Sequence, residues 1–228
     1  RVRLRYRKVG AARFISTREL GTVFFRAVRR AALPIAFSNG HHPMPRIAFG
    51  PALPVGVSSD DEFVDLELVE RRDPTAVLAL LARELPQGLE PFAGTEIERA
   101  TASIDGSTTA HLYVADLSSL DVPPAPDAIA DAVARFHASD VLAVRKYSKR
   151  GERMVDARGM VRTLAQTGPQ ELTFELTVGP EGTLKPSTLV ATLLGIADEL
   201  APLVRIHKRA TRLADVATPT LPATAPFA

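Results

Sequence analysis

The chain contains no cysteine, and aromatic residues make up only 6% of it. Without cysteine there is no disulfide framework, no thiolate zinc site, no cysteine nucleophile and no cysteine-held iron–sulfur cluster. The same absence suits a reducing compartment, so a cytoplasmic setting is the expectation. No apolar run approaches the roughly 18 residues that a membrane-spanning helix needs, and no membrane partner is expected. The opening Arg1-Val2-Arg3-Leu4-Arg5 places no apolar stretch behind its charges, unlike a signal peptide, and it lacks an initiator Met, as a trimmed piece of a longer chain would. Few aromatics, most at core-facing spacings, give little basis for sequence-specific base stacking.

Against these absences stand 228 residues, 46% hydrophobic and 24% charged, enough for one large domain or two small ones with real cores. The formal net charge of +2 conceals a strong asymmetry. Residues 1–50 hold eleven Lys and Arg against Glu19 alone, whereas residues 51–100 hold four basic and eleven acidic side chains. Residues 101–140 are acidic again, and residues 141–168 carry seven basic side chains against two acids. Such segregation points to a polyanionic partner, unless the basic and acidic segments pair with each other across a sheet.

Residues 1–9 alternate, with Val2, Leu4 and Tyr6 on one side and Arg1, Arg3, Arg5 and Arg7 on the other, the pattern of a half-buried strand. Ser16 and Glu19 form a capping box before a helix whose apolar stripe is Leu20, Val23, Phe24, Ala27, Val28 and Ala31. Arg18, Arg26, Arg29 and Arg30 fall off that stripe, and Pro34 ends the helix. A loop over residues 38–46 is stiffened by Pro43 and Pro45. A short strand at 47–49, an alternating strand at 62–68 with its acids turned outward, a helix opening at Pro74 and a strand near 90–98 complete a β-α-β-β-α-β order, the ferredoxin-like arrangement.

The second part repeats that order: strands at 111–117, 141–147, 158–166, 171–178 and 203–213, with helices at 127–138 and 186–198. The expected fold is therefore α+β, with two ferredoxin-like halves in tandem at 1–100 and 101–215, the second carrying one extra strand. Residues 216–228, rich in proline and without charge, read as a disordered tail.

The runs Arg13-Phe14-Ile15-Ser16, Arg29-Arg30-Ala31, Leu33-Pro34, Ser38-Asn39-Gly40-His41-His42-Pro43-Met44-Pro45-Arg46 and Leu53-Pro54-Val55-Gly56-Val57 resemble the bacterial domain of unknown function called the radical-SAM-linked protein. The resemblance extends to about residue 213, through Arg145-Lys146-Tyr147-Ser148-Lys149-Arg150-Gly151. It implies an appendage fused to, or encoded beside, a radical SAM protein, often near a ribonuclease E/G-type gene. Family members usually have an aromatic residue before the loop histidine, a place held here by His41. A chain without cysteine cannot itself be the radical enzyme, so the resemblance implies one that presents a substrate or assists that partner.

Two basic groups are candidate phosphate contacts: Arg3, Arg5, Arg7, Arg18, Arg26, Arg29, Arg30 and Arg46 in the first half, and Lys146, Lys149 and Arg150 in the second. Guanidinium groups bind phosphate bidentately, and Tyr147 is the aromatic among positive charges where a base can stack. Neighbouring His41 and His42 have no third ligand at a recognised spacing, so no metal or other cofactor is expected. The function expected is an RNA-binding accessory module for tRNA or another structured RNA, without catalytic activity of its own. Two alternatives stand beside it. One is a metal-independent endoribonuclease using His42 as acid or base with Arg46 beside it, by analogy with the tandem ferredoxin-like endoribonucleases of CRISPR systems. The other is a protein–protein adaptor.

Overall fold

Alternation in the first nine residues becomes strand β1 (Val2–Lys8) in the computed structural model, which describes residues 1–148, 151–179 and 182–214. Val2, Leu4 and Tyr6 turn into the core. Helix α1 (Thr17–Arg30) follows, its first turn closed by the capping box: Ser16 Oγ accepts from the Glu19 amide while the Glu19 carboxylate accepts from the Ser16 amide. Leu20, Phe24, Ala27 and Val28 form its buried face. Phe24 packs its ring 5.1 Å from Tyr6 and 5.3 Å, edge-on, from Phe49. The helix stops as Ala32 takes a left-handed φ of 51° ahead of Pro34.

Strands β2 (Ile47–Phe49) and β3 (Ser58–Leu66), helix α2 (Pro74–Glu84) and strand β4 (Leu89–Glu96) complete the run. Asp73 caps α2 by accepting from the amides of Thr75 and Ala76. The strands lie in the order β4-β1-β3-β2, every pair antiparallel. At the turn into β4, Gly88 has φ 86°, and a Cβ there would stand 2.4 Å from the Val9 carbonyl. No other residue fits that approach. A short helix, α3 (Ile104–Ser107), closes this unit, which comprises Arg1–Thr108 and is rejoined by the chain at Leu213.

The second unit, Thr109–Arg212, is built on β5 (Thr108–Asp116), α4 (Pro126–Ala138), β8 (Val161–Gly168), β9 (Glu171–Thr177), α5 (Pro186–Leu194) and β10 (Arg205–Leu213). Its sheet runs β10-β5-β9-β8. Leu172, Phe174 and Leu176 of β9 are fully buried, and Phe174 stacks on Tyr113 at 5.7 Å. Where one extra strand was expected there are two: β6 (Ala143–Ser148) and β7 (Gly151–Asp156) pair as a separate hairpin. The segment 158–160 is a 3₁₀ turn rather than the start of a strand. Helix α5 ends at Leu194, not 198, because Gly195 adopts φ 65° as a left-handed cap. The segment 216–228, expected to be a disordered tail, lies outside the described residues.

The acids of the third strand are the main departure in the first unit. They do not point into water. β3 starts at Ser58, earlier than expected, and its antiparallel register sets Asp65 against Arg3 and Phe63 against Arg5. Asp65, 3% exposed, receives both Nε and Nη2 of Arg3 at 2.8 and 2.9 Å, and Arg1 at 3.0 Å. Asp61 takes Arg5 at 2.8 Å, while Asp60 lies 3.8 Å and Glu90 3.9 Å from Arg7. The Arg5 guanidinium also sits 5.4 Å from the rings of Phe63 and Phe92. Sequence asymmetry is thus cancelled locally by cross-strand pairing. Removing one member of a buried pair leaves a buried charge and costs about 3–5 kcal/mol, whereas an exposed pair contributes about 0–1 kcal/mol.

In the second unit His111 is 4% exposed, and its Nδ1 has no hydrogen-bond partner among the described residues. Burial, reinforced by the positive charge of Lys208, pulls its pKa down to about 2. The imidazole is therefore neutral in the fold. Among the described residues no helix is long and apolar enough to cross a membrane.

Two measurements check these assignments. Asp65→Asn should lower unfolding free energy by about 3–5 kcal/mol in denaturant melts, against about 1 kcal/mol or less for Arg46→Ala at an exposed pair; equal losses would refute the buried ladder. For His111, the unfolded chain takes up a proton below about pH 6.5 that the folded chain refuses until about pH 2. Stability must therefore fall as pH drops through that window. His111→Leu should flatten the dependence by up to about 1.4 kcal/mol per pH unit. An unchanged slope would mean that the imidazole is protonated in the fold.

Candidate nucleic-acid interface

On α1 the positions Arg18, Thr22, Phe25, Arg26 and Arg29 recur at helical spacing on the side opposite Leu20, Phe24, Ala27 and Val28. Arg18, Arg26 and Arg29 are exposed, and no acidic partner engages any of them among the described residues. Arg18 and Arg29 are about 16 Å apart along the axis, from the rise of an α-helix. The result is a strip of uncompensated positive charge on a rigid element.

The other first-half arginines differ. Arg3, Arg5 and Arg7 belong to the ladder beside β3, so their expected service as phosphate contacts meets charge that is already matched. Arg3 is 8% exposed and also donates to the Ala102 carbonyl at 2.9 Å. Arg30, on the edge of the strip, bonds Glu84 at 2.8 Å. Arg46 donates to Glu67 at 3.1 Å and to the Phe37 carbonyl at 3.3 Å.

In the second unit Lys146 and Tyr147 lie on β6, in register with Arg153 and Glu152 of β7. Lys149 and Arg150 lie outside the described residues.

The loop carrying His41 and His42 is closed at its base. Phe37 bridges Pro45, the Ser38 amide donates to the Met44 carbonyl at 2.8 Å, and the Met44 amide donates to Ser38 Oγ at 2.9 Å. Both histidines are exposed, and neither makes a hydrogen bond among the described residues. Among the described residues no group of three or more His, Asp or Glu side chains is arranged to hold a metal ion.

Three aromatic side chains that sequence reasoning assigned no role stand beside the positive strip. Phe25 lies off the buried stripe, with the Arg29 guanidinium 5.9 Å from its ring. Phe37, 45% exposed, packs edge-on against Phe25 at 6.2 Å. Before the helix, Phe14 is 58% exposed with Arg13 stacked at 4.7 Å. The signal was present: a phenylalanine at an off-stripe helical position whose neighbours already fill the core.

A second polar feature lies inside the same unit. Tyr6, Lys8 and Glu62 line a cavity of about 10 Å³, and Lys8 Nζ donates to the Ile15 carbonyl at 2.7 Å. Burial, then the charge of Glu62, raises the Tyr6 phenol well above its ordinary pKa. A space of that size holds about one water molecule, not a substrate.

Comparison with known proteins adds little to this chemistry. No curated protein matches the sequence. Among solved structures, one chain of the "Crystal Structure of a Cbf5-Nop10-Gar1 Complex" superposes with a TM-score of 0.42 at 12% identity, covering 92% of this chain and 48% of that one. This chain thus spans about half the length of that relative, and a likeness at that TM-score carries no weight here. The family profile is decisive for membership: it matches residues 1–186, and the chain belongs to the family described as uncharacterized protein conserved in bacteria, DUF2344.

Proposed function

We propose that this protein is an RNA-binding accessory module, taking tRNA or another structured RNA in the cytoplasm and working beside a radical SAM protein. The observation that carries the RNA reading is the contrast between two sets of arginines. Those of β1 are neutralised by acids on neighbouring strands, whereas Arg18, Arg26 and Arg29 keep their charge in water along one helix face. A strip of guanidinium groups on a rigid helix is suited to phosphate, which it binds with displacement of counterions. Lys146, Lys149 and Arg150, with Tyr147 for stacking, belong to the proposal as a second basic group. The radical SAM partner rests on the family resemblance of the His-Pro loop and its flanking motifs.

Both units are read as ferredoxin-like halves in tandem. The support is that β4-β1-β3-β2 and β10-β5-β9-β8 repeat one strand order, with two helices in each βαββαβ run and the β6–β7 hairpin inserted in the second. In RNA-binding sheets of this kind the open sheet face usually presents aromatics. Here the corresponding face of β1 and β3 is filled by Arg–Asp pairs, which shifts the proposed contact to α1. For the adaptor alternative, the arginines of β1 are less available to a partner because acids of β3 and β4 already pair with them. The nuclease reading retains one favourable observation: His42 is exposed and makes no hydrogen bond among the described residues.

Binding of a structured RNA should weaken steeply with salt. Replacing Arg18, Arg26 and Arg29 with Ala should reduce the log–log slope by up to about 2.7, taking roughly 0.7–0.9 per phosphate contact. Arg71→Ala, at an exposed residue paired with Glu96, should leave it unchanged. Parent-like binding by the triple variant would remove α1 from the interface. Labelled RNA incubated with the protein in chelator should stay intact over hours. Cleavage that is abolished by His42→Ala, with binding retained, would establish the nuclease instead.

A further inference from the structure

We infer that Phe37 is a stacking platform for an unpaired nucleobase, so that the RNA accepted by the first unit is single-stranded or looped at this point. The inference rests on the RNA-binding reading above and narrows its ligand. Phe37 exposes nearly half of its surface, so part of its ring is open to a ligand. Its underside is supported rather than loose: the Phe25 ring meets it edge-on at 6.2 Å, with Arg29 over Phe25 at 5.9 Å. Its backbone is pinned as well, by the bridge to Pro45, by the Arg46 Nε bond to its carbonyl at 3.3 Å, and by the Ser38–Met44 pair next to it. A ring fixed in this way loses little further freedom when a base covers it.

The charge around the platform selects the occupant. Arg29, and Arg26 one turn before it, carry no acidic partner among the described residues. An apolar peptide would bury those cations without compensation, whereas a nucleotide brings a flat π-face for Phe37 and a phosphate for the arginines. Base–aromatic stacking of this kind contributes about 1–3 kcal/mol per base and is available only to a base that is not paired within a duplex.

The test compares an unstructured oligouridylate with a blunt, fully paired RNA duplex carrying the same number of phosphates. Phe37→Ala should weaken oligouridylate binding roughly 5- to 150-fold, the equivalent of one lost stack, and leave duplex binding unchanged. Phe37→Tyr should restore the parent affinity, which a general loss of folding would not allow. The chain has no tryptophan, so Phe37→Trp places a single indole at the platform, and oligouridylate should quench its fluorescence while the duplex does not. Equal loss of both ligands in Phe37→Ala, or an unquenched indole in a protein that still binds oligouridylate, overturns the platform while leaving the arginine strip standing. If loss of the arginines leaves both affinities at the parent level, the interface itself is refuted and the platform with it.

Discussion

Antiparallel pairing of β1 with β3 places Arg3 beside Asp65, and Arg5 within reach of Asp61, in a setting where each carboxylate is almost wholly removed from water. Ions so placed are tolerable only as pairs, because the cost of taking a charge out of water is recovered only through a close opposite charge and satisfied hydrogen bonds. The bidentate Arg3–Asp65 contact meets that condition in full. A register slip by one residue would set Arg3 against Val64 or Leu66, and would send the apolar residues of one of the two strands to the face away from the core. The ladder therefore specifies pairing, and pairing determines which side of the sheet receives the helices.

The ladder accounts for only part of the positive charge in the first fifty residues. A segment with eleven cations and one acid looks, in one dimension, like a uniform polyanion site. In three dimensions the cations divide. Arg3, Arg5 and Arg7 are matched at short range by acids on neighbouring strands, Arg30 at the edge of α1 reaches Glu84, and Arg18, Arg26 and Arg29 on the outer helix face have no acidic partner among the described residues. The proposed interface is this remainder, and the aromatic pair Phe25–Phe37 lies next to it, with Arg29 over the Phe25 ring.

Membership of an uncharacterized bacterial family neither supplies nor excludes a chemistry for the chain. What bears on chemistry is the set of side chains that are both exposed and unengaged, and in the first unit that set is rich in guanidinium, imidazole and phenyl groups. His42 sits on a loop whose base is fixed by Phe37, Pro45, Ser38 and Met44, so the loop presents its histidines from a defined stem. Such a stem suits recognition, where few degrees of freedom need to be frozen on contact.

Local sequence by itself determined the elements that depend on near neighbours. The Ser16–Glu19 capping box, the Leu20-Phe24-Ala27-Val28 stripe and the alternation of Val2, Leu4 and Tyr6 act over a few residues, and each is found where its spacing placed it. The β-α-β-β-α-β order of the first unit was legible for the same reason. Hidden were the features that need a partner distant in the chain. Asp61 and Asp65 fall on one face of β3, where the sequence alone reads a water-facing row, and only the presence of β1, some sixty residues earlier, makes them the buried half of an ion-pair ladder. Strand β7 went unread because its hairpin with β6 is supported by pairing more than by its own weakly apolar residues. Arg3 and Arg29 are the same residue type at equally exposed-looking positions. Tertiary structure alone decided that one would be neutralised and the other left free, because the range of a Coulombic pair is set by distance in space and not by separation along the chain.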